Sequence, residues 1–133
     1  MSDAVALARE LGHERVLIVQ EPAAGLQAVI ALHDTTLGHA IGGTRMRSYP
    51  AFEDAMEDAL RLSHAMTAKA AFAGMPCGGG KAVIAGDPLR EKTPELPLAF
   101  GRAGDEPGGR FFTGGDMGMR AAELAHMGPA KSH

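Results

Sequence analysis

The glycines of this chain fall in clusters, and the clusters constrain what it can fold into. Eighteen of its 133 residues are glycine, and nine of them are grouped at 42–43, 78–80, 108–109 and 114–115. Glycine loses more backbone entropy on folding than any other residue, so a cluster marks a turn or a close backbone approach. Each cluster lies beside an apolar run that reads as a strand. That placement points to one shared cleft rather than to a flexible linker.

The strands are short and compact. Val16-Leu17-Ile18-Val19-Gln20 suits a strand, Glu21-Pro22-Ala23-Ala24-Gly25 a turn, and Leu26 to Leu32 a second strand. Ala40-Ile41 leads into Gly42-Gly43 as a third, so the chain is expected to begin as a meander. Residues 3–12 suit a short helix closed by Gly12. A longer helix is expected from Pro50, placed in its first turn, to about Ala73, where Gly74 and Pro76 stop it. Phe52, Met56, Ala59, Leu60, Ser63, Met66 and Ala70 recur at spacings of three and four and make its buried face. Glu57 and Arg61 form an i,i+4 pair worth only ~0.3–0.5 kcal/mol.

Beyond the triple glycine, Lys81 to Ala85 reads as a strand ended by Gly86-Asp87-Pro88. A helix from Thr93-Pro94 to about Arg102, a strand at Phe111-Phe112-Thr113 and a helix over 121–127 complete the pattern. Strands alternating with helices imply an α/β chain: a layered α/β/α domain with a mixed, largely parallel sheet. Residues 1–133 read as one domain, without internal repeat or linker.

Composition removes whole classes of function. A net charge of −3 with 5% aromatic residues gives neither a basic surface for phosphates nor stacking platforms for bases, so no nucleic-acid partner is expected. No apolar run reaches membrane-spanning length, and Met1-Ser2-Asp3-Ala4 has no signal-peptide character. A single cysteine, Cys77, cannot form an internal disulfide. A soluble, cytoplasmic protein is the expectation. The six histidines form no H-x-x-x-H or Cys/His cluster, so no metal is expected and structural roles are assigned to His33, His39 and His64. Gly80-Lys81 is no phosphate loop: Met75 stands where that motif needs glycine, Ala82 follows the lysine, and a strand comes next.

Three residues carry candidate chemistry. Lys69 ends the long helix, three residues after Met66, and Lys81 opens the strand beyond the triple glycine. A connection of that length can bring two ammonium groups to one cleft, and with the backbone N–H groups of Gly42 and Gly43 they suit a small carboxylate. One lysine can hold the carboxylate while the other, desolvated, acts as a base. From spacing alone both are equally well ordinary surface lysines. Asp116, between glycines after a short strand, is placed to exchange protons with a ligand or to close an Asx-turn, and local chemistry favours the turn.

The segments IALHDTTLGHAIGGTRM, EDAMEDALRLSHAMTAK, GGGKAVIAGDP, AFGR and GGRFFTGGDMG occur in an order and spacing that resembles the N-terminal domain of the Glu/Leu/Phe/Val amino-acid dehydrogenases, closest to the leucine, valine and phenylalanine enzymes. The resemblance covers about residues 13–120. It implies a substrate-binding and oligomerisation domain of an enzyme for NAD-dependent, reversible oxidative deamination of an apolar L-amino acid to its 2-oxo acid and ammonia. Carried over by position, it implies that Lys69 holds the substrate carboxylate, helped by the backbone at Gly42 and Gly43. Lys81 polarises the reacting carbonyl and activates water, Asp116 shuttles a proton to and from the amine, and Met66 forms part of an apolar wall. A homo-oligomer is expected through the exposed edge of the early strands.

The chain departs from the family pattern at the two glycines before Asp116 and at Ala103-Gly104-Asp105-Glu106-Pro107. No G-x-G-x-x-G follows a strand, so no NAD-binding Rossmann unit is expected within these residues and the chain reads as truncated. The rival reading is a non-catalytic module that binds amino acids or assembles with itself, without dehydrogenase activity.

Overall fold

The computed structural model describes residues 3–87, Glu95, Leu96 and Phe100, together with the backbone of residues 111–115. Helix α1 (Asp3–Leu11) leads into β1 (Arg15–Glu21), a 3-10 turn at Pro22–Ala24, β2 (Leu26–Leu32) and β3 (Ala40–Arg47). Helix α2 (Phe52–Phe72), β4 (Gly78–Ala85) and β5 (Phe111–Gly115) follow. The expected helix over 121–127 and most of that over 93–102 lie outside the described residues.

The sheet is mixed and runs in the order β1-β2-β4-β3-β5. β1 and β2 form the expected antiparallel hairpin, with Arg15 opposite Leu32 and Glu21 opposite Leu26. Gly25 closes its turn at φ +70°, a conformation open to glycine. The meander stops there. β4 inserts between β2 and β3, antiparallel to the first and parallel to the second, and β5 adds parallel to β3. The reason is burial on both faces. β2 and β4 are closed to solvent along almost their whole length, a pattern that belongs at the centre of a sheet. β1 carries alternating exposure and takes the edge.

A core lies on each side. Ala4, Val29, Ala31, Ala55, Met56, Ala59, Leu60 and Val83 pack between the sheet and helices α1 and α2. Ile30, Leu32, Met46, Ala82 and Ile84 face the other way and are covered by Leu96 and Phe100, helical residues four apart with no exposure above 1%. The domain is thus a layered α/β fold. Helix α2 follows its expected stripe but begins after Pro50. Ala51 is the cap, its N–H held by Asp54 Oδ2 at 3.1 Å, so the proline stands just outside the helix. At the other end Gly74, φ +72°, turns the chain while the Met75 N–H bonds back to Ala70. Glu57 and Arg61 meet at 3.1 Å on the exposed surface, where such a pair contributes little.

β4 begins at Gly78, so the triple glycine is strand and not turn. A side-chain carbon on Gly79 would stand 2.1 Å from Ser63 O and 2.4 Å from Thr67 N, and one on Gly78 would stand 1.5 Å from Asp34 O. Helix and strand backbones therefore touch here. Gly79→Ala is expected to lower stability by about 2–4 kcal/mol, because backbone on both sides must shift. Urea denaturation against the wild type measures this; an unchanged midpoint refutes the close contact.

Candidate functional site

Alternation along β4 sets which side chains face α2. Val83 packs with the α2 residues and Gly79 touches Ser63 and Thr67, so Lys81, midway between them, belongs to the same face. Lys81 is 7% exposed, a value reached by few lysines. On β3 the same face carries Gly43 and Arg45, and Arg45 reaches across to Asp58 of α2 at 3.1 Å. Asp58 also accepts the Tyr49 hydroxyl, and burial together with that carboxylate pushes the Tyr49 phenol well above its usual range.

The β3–β4 register, Ile41 with Gly79 and Thr44 with Ala82, puts Gly42 opposite Gly80 and Gly43 opposite Lys81. Pairing with β4 lapses at just these positions, while β3 stays paired to β5 at Thr113 and Gly114. Gly42 is buried, and a side-chain carbon there would stand 1.6 Å from Gly80 O. Lys69 lies exposed in the last turn of α2 and Met66 is half-buried one turn earlier. At 3.6 residues per turn Lys69 falls within ~20° of Asp58, on the β3 side of the helix. Asp116 lies outside the described residues.

A second polar cluster flanks the same strand, and sequence reading missed it. The His33 ring bonds Leu11 O through Nε2 at 2.8 Å and Thr67 Oγ1 through Nδ1 at 2.7 Å. Thr67 Oγ1 also accepts the Gly79 N–H at 2.9 Å, and the His33 N–H donates to Gly79 O at 2.9 Å. His13 Nε2 lies 2.7 Å from Ser63 Oγ, whose own proton goes to Leu60 O at 3.0 Å. Ser63 therefore accepts from His13, which places the His13 proton on Nε2. The His13, His33 and His64 rings stack edge to face, each step 4.8 Å between centroids. The available signal was Ser63 and Thr67 four apart beside an apolar helix stripe, polar residues where core was expected.

Burial first, and then the neighbouring His33, lower the His13 pKa to about 4. Its Nδ1 is buried and makes no hydrogen bond among the described residues. The loop after β2 is bound locally: the Thr36 hydroxyl, and after it the Thr36 N–H that donates to Asp34 Oδ1 at 2.7 Å, hold the Asp34 carboxyl below its usual range, and Thr35 N–H donates to Glu14 at 2.9 Å. Among the described residues no group of three or more His, Cys, Asp or Glu side chains is arranged to hold a metal ion. No helix among them is long and apolar enough to cross a membrane.

The layered α/β domain thus carries one buried lysine, on a strand that opens with three glycines, and a second, exposed, in the last turn of α2. Residues 13–132 match the model of the Glu/Leu/Phe/Val dehydrogenase dimerisation domain, and the chain belongs to that family. It is 52% identical over 114 residues to a phenylalanine dehydrogenase from Lysinibacillus sphaericus, covering 86% of this chain and 30% of the relative. Against a leucine dehydrogenase from Geobacillus stearothermophilus it is 50% identical over 112 residues, covering 84% of this chain and 30% of the relative. The crystal structure of L-tryptophan dehydrogenase from Nostoc punctiforme superposes with a TM-score of 0.90 at 45% identity, covering 96% of this chain and 38% of that one. The chain thus spans about a third of the length of the proteins it matches.

Dehydrogenases of this family imply a nicotinamide dinucleotide. The described residues do not fit one: β3 enters α2 through Ser48-Tyr49-Pro50-Ala51, and the glycine run of β4 lies inside a strand, not at a strand-to-helix turn.

Because His13 titrates near pH 4 in the fold and near 6.5 when unfolded, the unfolded chain binds the extra proton between those values. Stability is therefore full above about pH 6.5 and is lost progressively as the pH falls toward 4. The expected loss is roughly 1–2 kcal/mol, discounted for a half-exposed ring. Thermal melts from pH 7 to 4 measure it, and His13→Gln is expected to flatten the slope. An equal slope in both proteins removes His13 as its cause.

Proposed function

We propose that this chain supplies the substrate-binding part of a dehydrogenase acting on an apolar L-amino acid of the leucine, valine or phenylalanine type. The reaction is oxidative deamination. The substrate loses a hydride and a further proton, water supplies the new carbonyl oxygen, and ammonia leaves. The electrons depart as hydride to NAD, chemistry that no described residue supplies.

The observation that carries this reading is the burial of Lys81 on a strand that opens with three glycines, with Gly43 opposite. In the proposed site Lys69 holds the substrate carboxylate, assisted by the backbone at Gly42 and Gly43. Lys81 polarises the carbonyl and orients the attacking water. Asp116 passes a proton to and from the amine, and Met66 forms part of the apolar wall. The position of Lys69 on the β3 side of α2 supports its share in the same corner as Lys81. A cytoplasmic setting keeps the buried thiol of Cys77 reduced.

A second role follows from the edge of the sheet. β1 pairs only with β2 among the described strands and leaves Ile18 56% exposed. An edge with a free row of backbone groups and an apolar outer residue is a template for a second copy. We assign self-association to it, in keeping with the family's dimerisation domain.

Titration calorimetry with 2-oxoisocaproate and phenylpyruvate tests the site. Lys69→Ala is expected to weaken binding at least ~10-fold at little cost to stability, since exposed helix positions usually change it by about 0.5 kcal/mol or less. Absence of binding by the wild type at millimolar ligand overturns the substrate assignment and leaves the assembly role. For that role, Ile18→Lys is expected to shift sedimentation from dimer or larger toward monomer; an unaltered distribution moves the interface elsewhere.

A further inference from the structure

We propose that Thr67, held in place by His33, is a positioning residue for Lys81, an inference that rests on the substrate site proposed above. The proton count along this relay leaves little freedom. Leu11 O is an acceptor, so the His33 Nε2 facing it at 2.8 Å carries a proton. In that tautomer Nδ1 is an acceptor and takes the Thr67 hydroxyl proton at 2.7 Å, while Thr67 Oγ1 accepts the Gly79 N–H at 2.9 Å. Each group then has one defined part, from Gly79 through Thr67 and His33 to the end of α1. His33 also ties the same peptide from its backbone, through its N–H to Gly79 O at 2.9 Å.

The relay acts on the point where β4 has no side chain with which to locate itself. Gly78, Gly79 and Gly80 cannot key into the core, and Gly79 has only its backbone to offer. Thr67 gives that peptide a fixed partner on α2. Lys81 is two residues further along the same strand and on the same face, so its stem direction follows from the orientation of the Gly79 peptide. Lys69 is two residues beyond Thr67 on the helix. One hydroxyl therefore sets the spacing between the segments that carry both lysines. Preorganisation of this kind counts because misplacing a reacting group costs far more rate than stability.

Thr67→Val keeps the shape and removes the hydroxyl, Thr67→Ser restores it, and Thr67→Ala leaves room for water should the valine variant fail to fold. Three readouts apply: exchange of the Gly79 amide by NMR, affinity for 2-oxoisocaproate and phenylpyruvate, and mass-spectrometric labelling of Lys81 by acetic anhydride. In the valine and alanine variants the Gly79 amide is expected to exchange faster, both acids to bind roughly 10-fold more weakly, and buried Lys81 to label faster. The serine variant is expected to match the wild type in all three.

Wild-type affinity and Lys81 labelling in folded Thr67→Val, whatever its melting temperature, confine Thr67 to a structural role and overturn the proposal. If the wild type binds neither acid, the substrate reading falls, and labelling alone decides the relay. Faster labelling in the valine variant then supports it, and equal labelling overturns it.

Discussion

The contact between Gly79 of β4 and the backbone of α2 at Ser63 and Thr67 is the constraint on which the rest of the domain depends. A helix ordinarily rides on a sheet at the distance set by its side chains, about 10 Å between layers of ordinary residues. Here the interposed residue has no side chain, and the helix carbonyl and amide approach the strand itself. That fixes α2 along its own C-terminal half, where Lys69 sits, while Met56, Ala59 and Leu60 pack its N-terminal half against Val83 in the ordinary manner. The helix is therefore pinned at one end by backbone and at the other by side chains.

Burying a lysine in such a place is costly unless its head group is engaged. The lysine follows three glycines on β4, the middle one lying on its own face of the sheet against the backbone of α2. The lysine thus enters from a rigid central strand, bonded to β2 at Ala31 and lying beside Gly43 on β3. A side chain on a central strand has fewer directions in which to drift than one on a loop.

Much of this was legible from the residues, for a physical reason. Helix α2 announces itself because apolar side chains at three- and four-residue spacing have to share a face, and the hairpin of β1 and β2 because Glu21-Pro22-Ala23-Ala24-Gly25 leaves the chain little else to do. The pairing of β4 between β2 and β3 was not legible. It joins residues far apart in sequence, and the start of β4 at Gly78 carries no pattern, since a glycine strand has no side chains to alternate. Lys69 and Lys81 stood out from their motifs. Thr67 and His33 did not, because their meaning lies in which lone pair faces which proton, and that exists only once α1, β2, α2 and β4 are assembled.

The three stacked histidines follow the same logic and add a condition to it. His33 stands between His13 and His64, with both its ring nitrogens committed to bonds that use each proton once. His13 resists protonation because burial and His33 both oppose a charge there. The apolar packing around α1 and the polar chain from Leu11 to Gly79 meet at His13, whose charged form burial disfavours and whose ring stacks edge to face on His33. A hydroxyl, and not a salt bridge, thus ties α2 to the strand that carries Lys81.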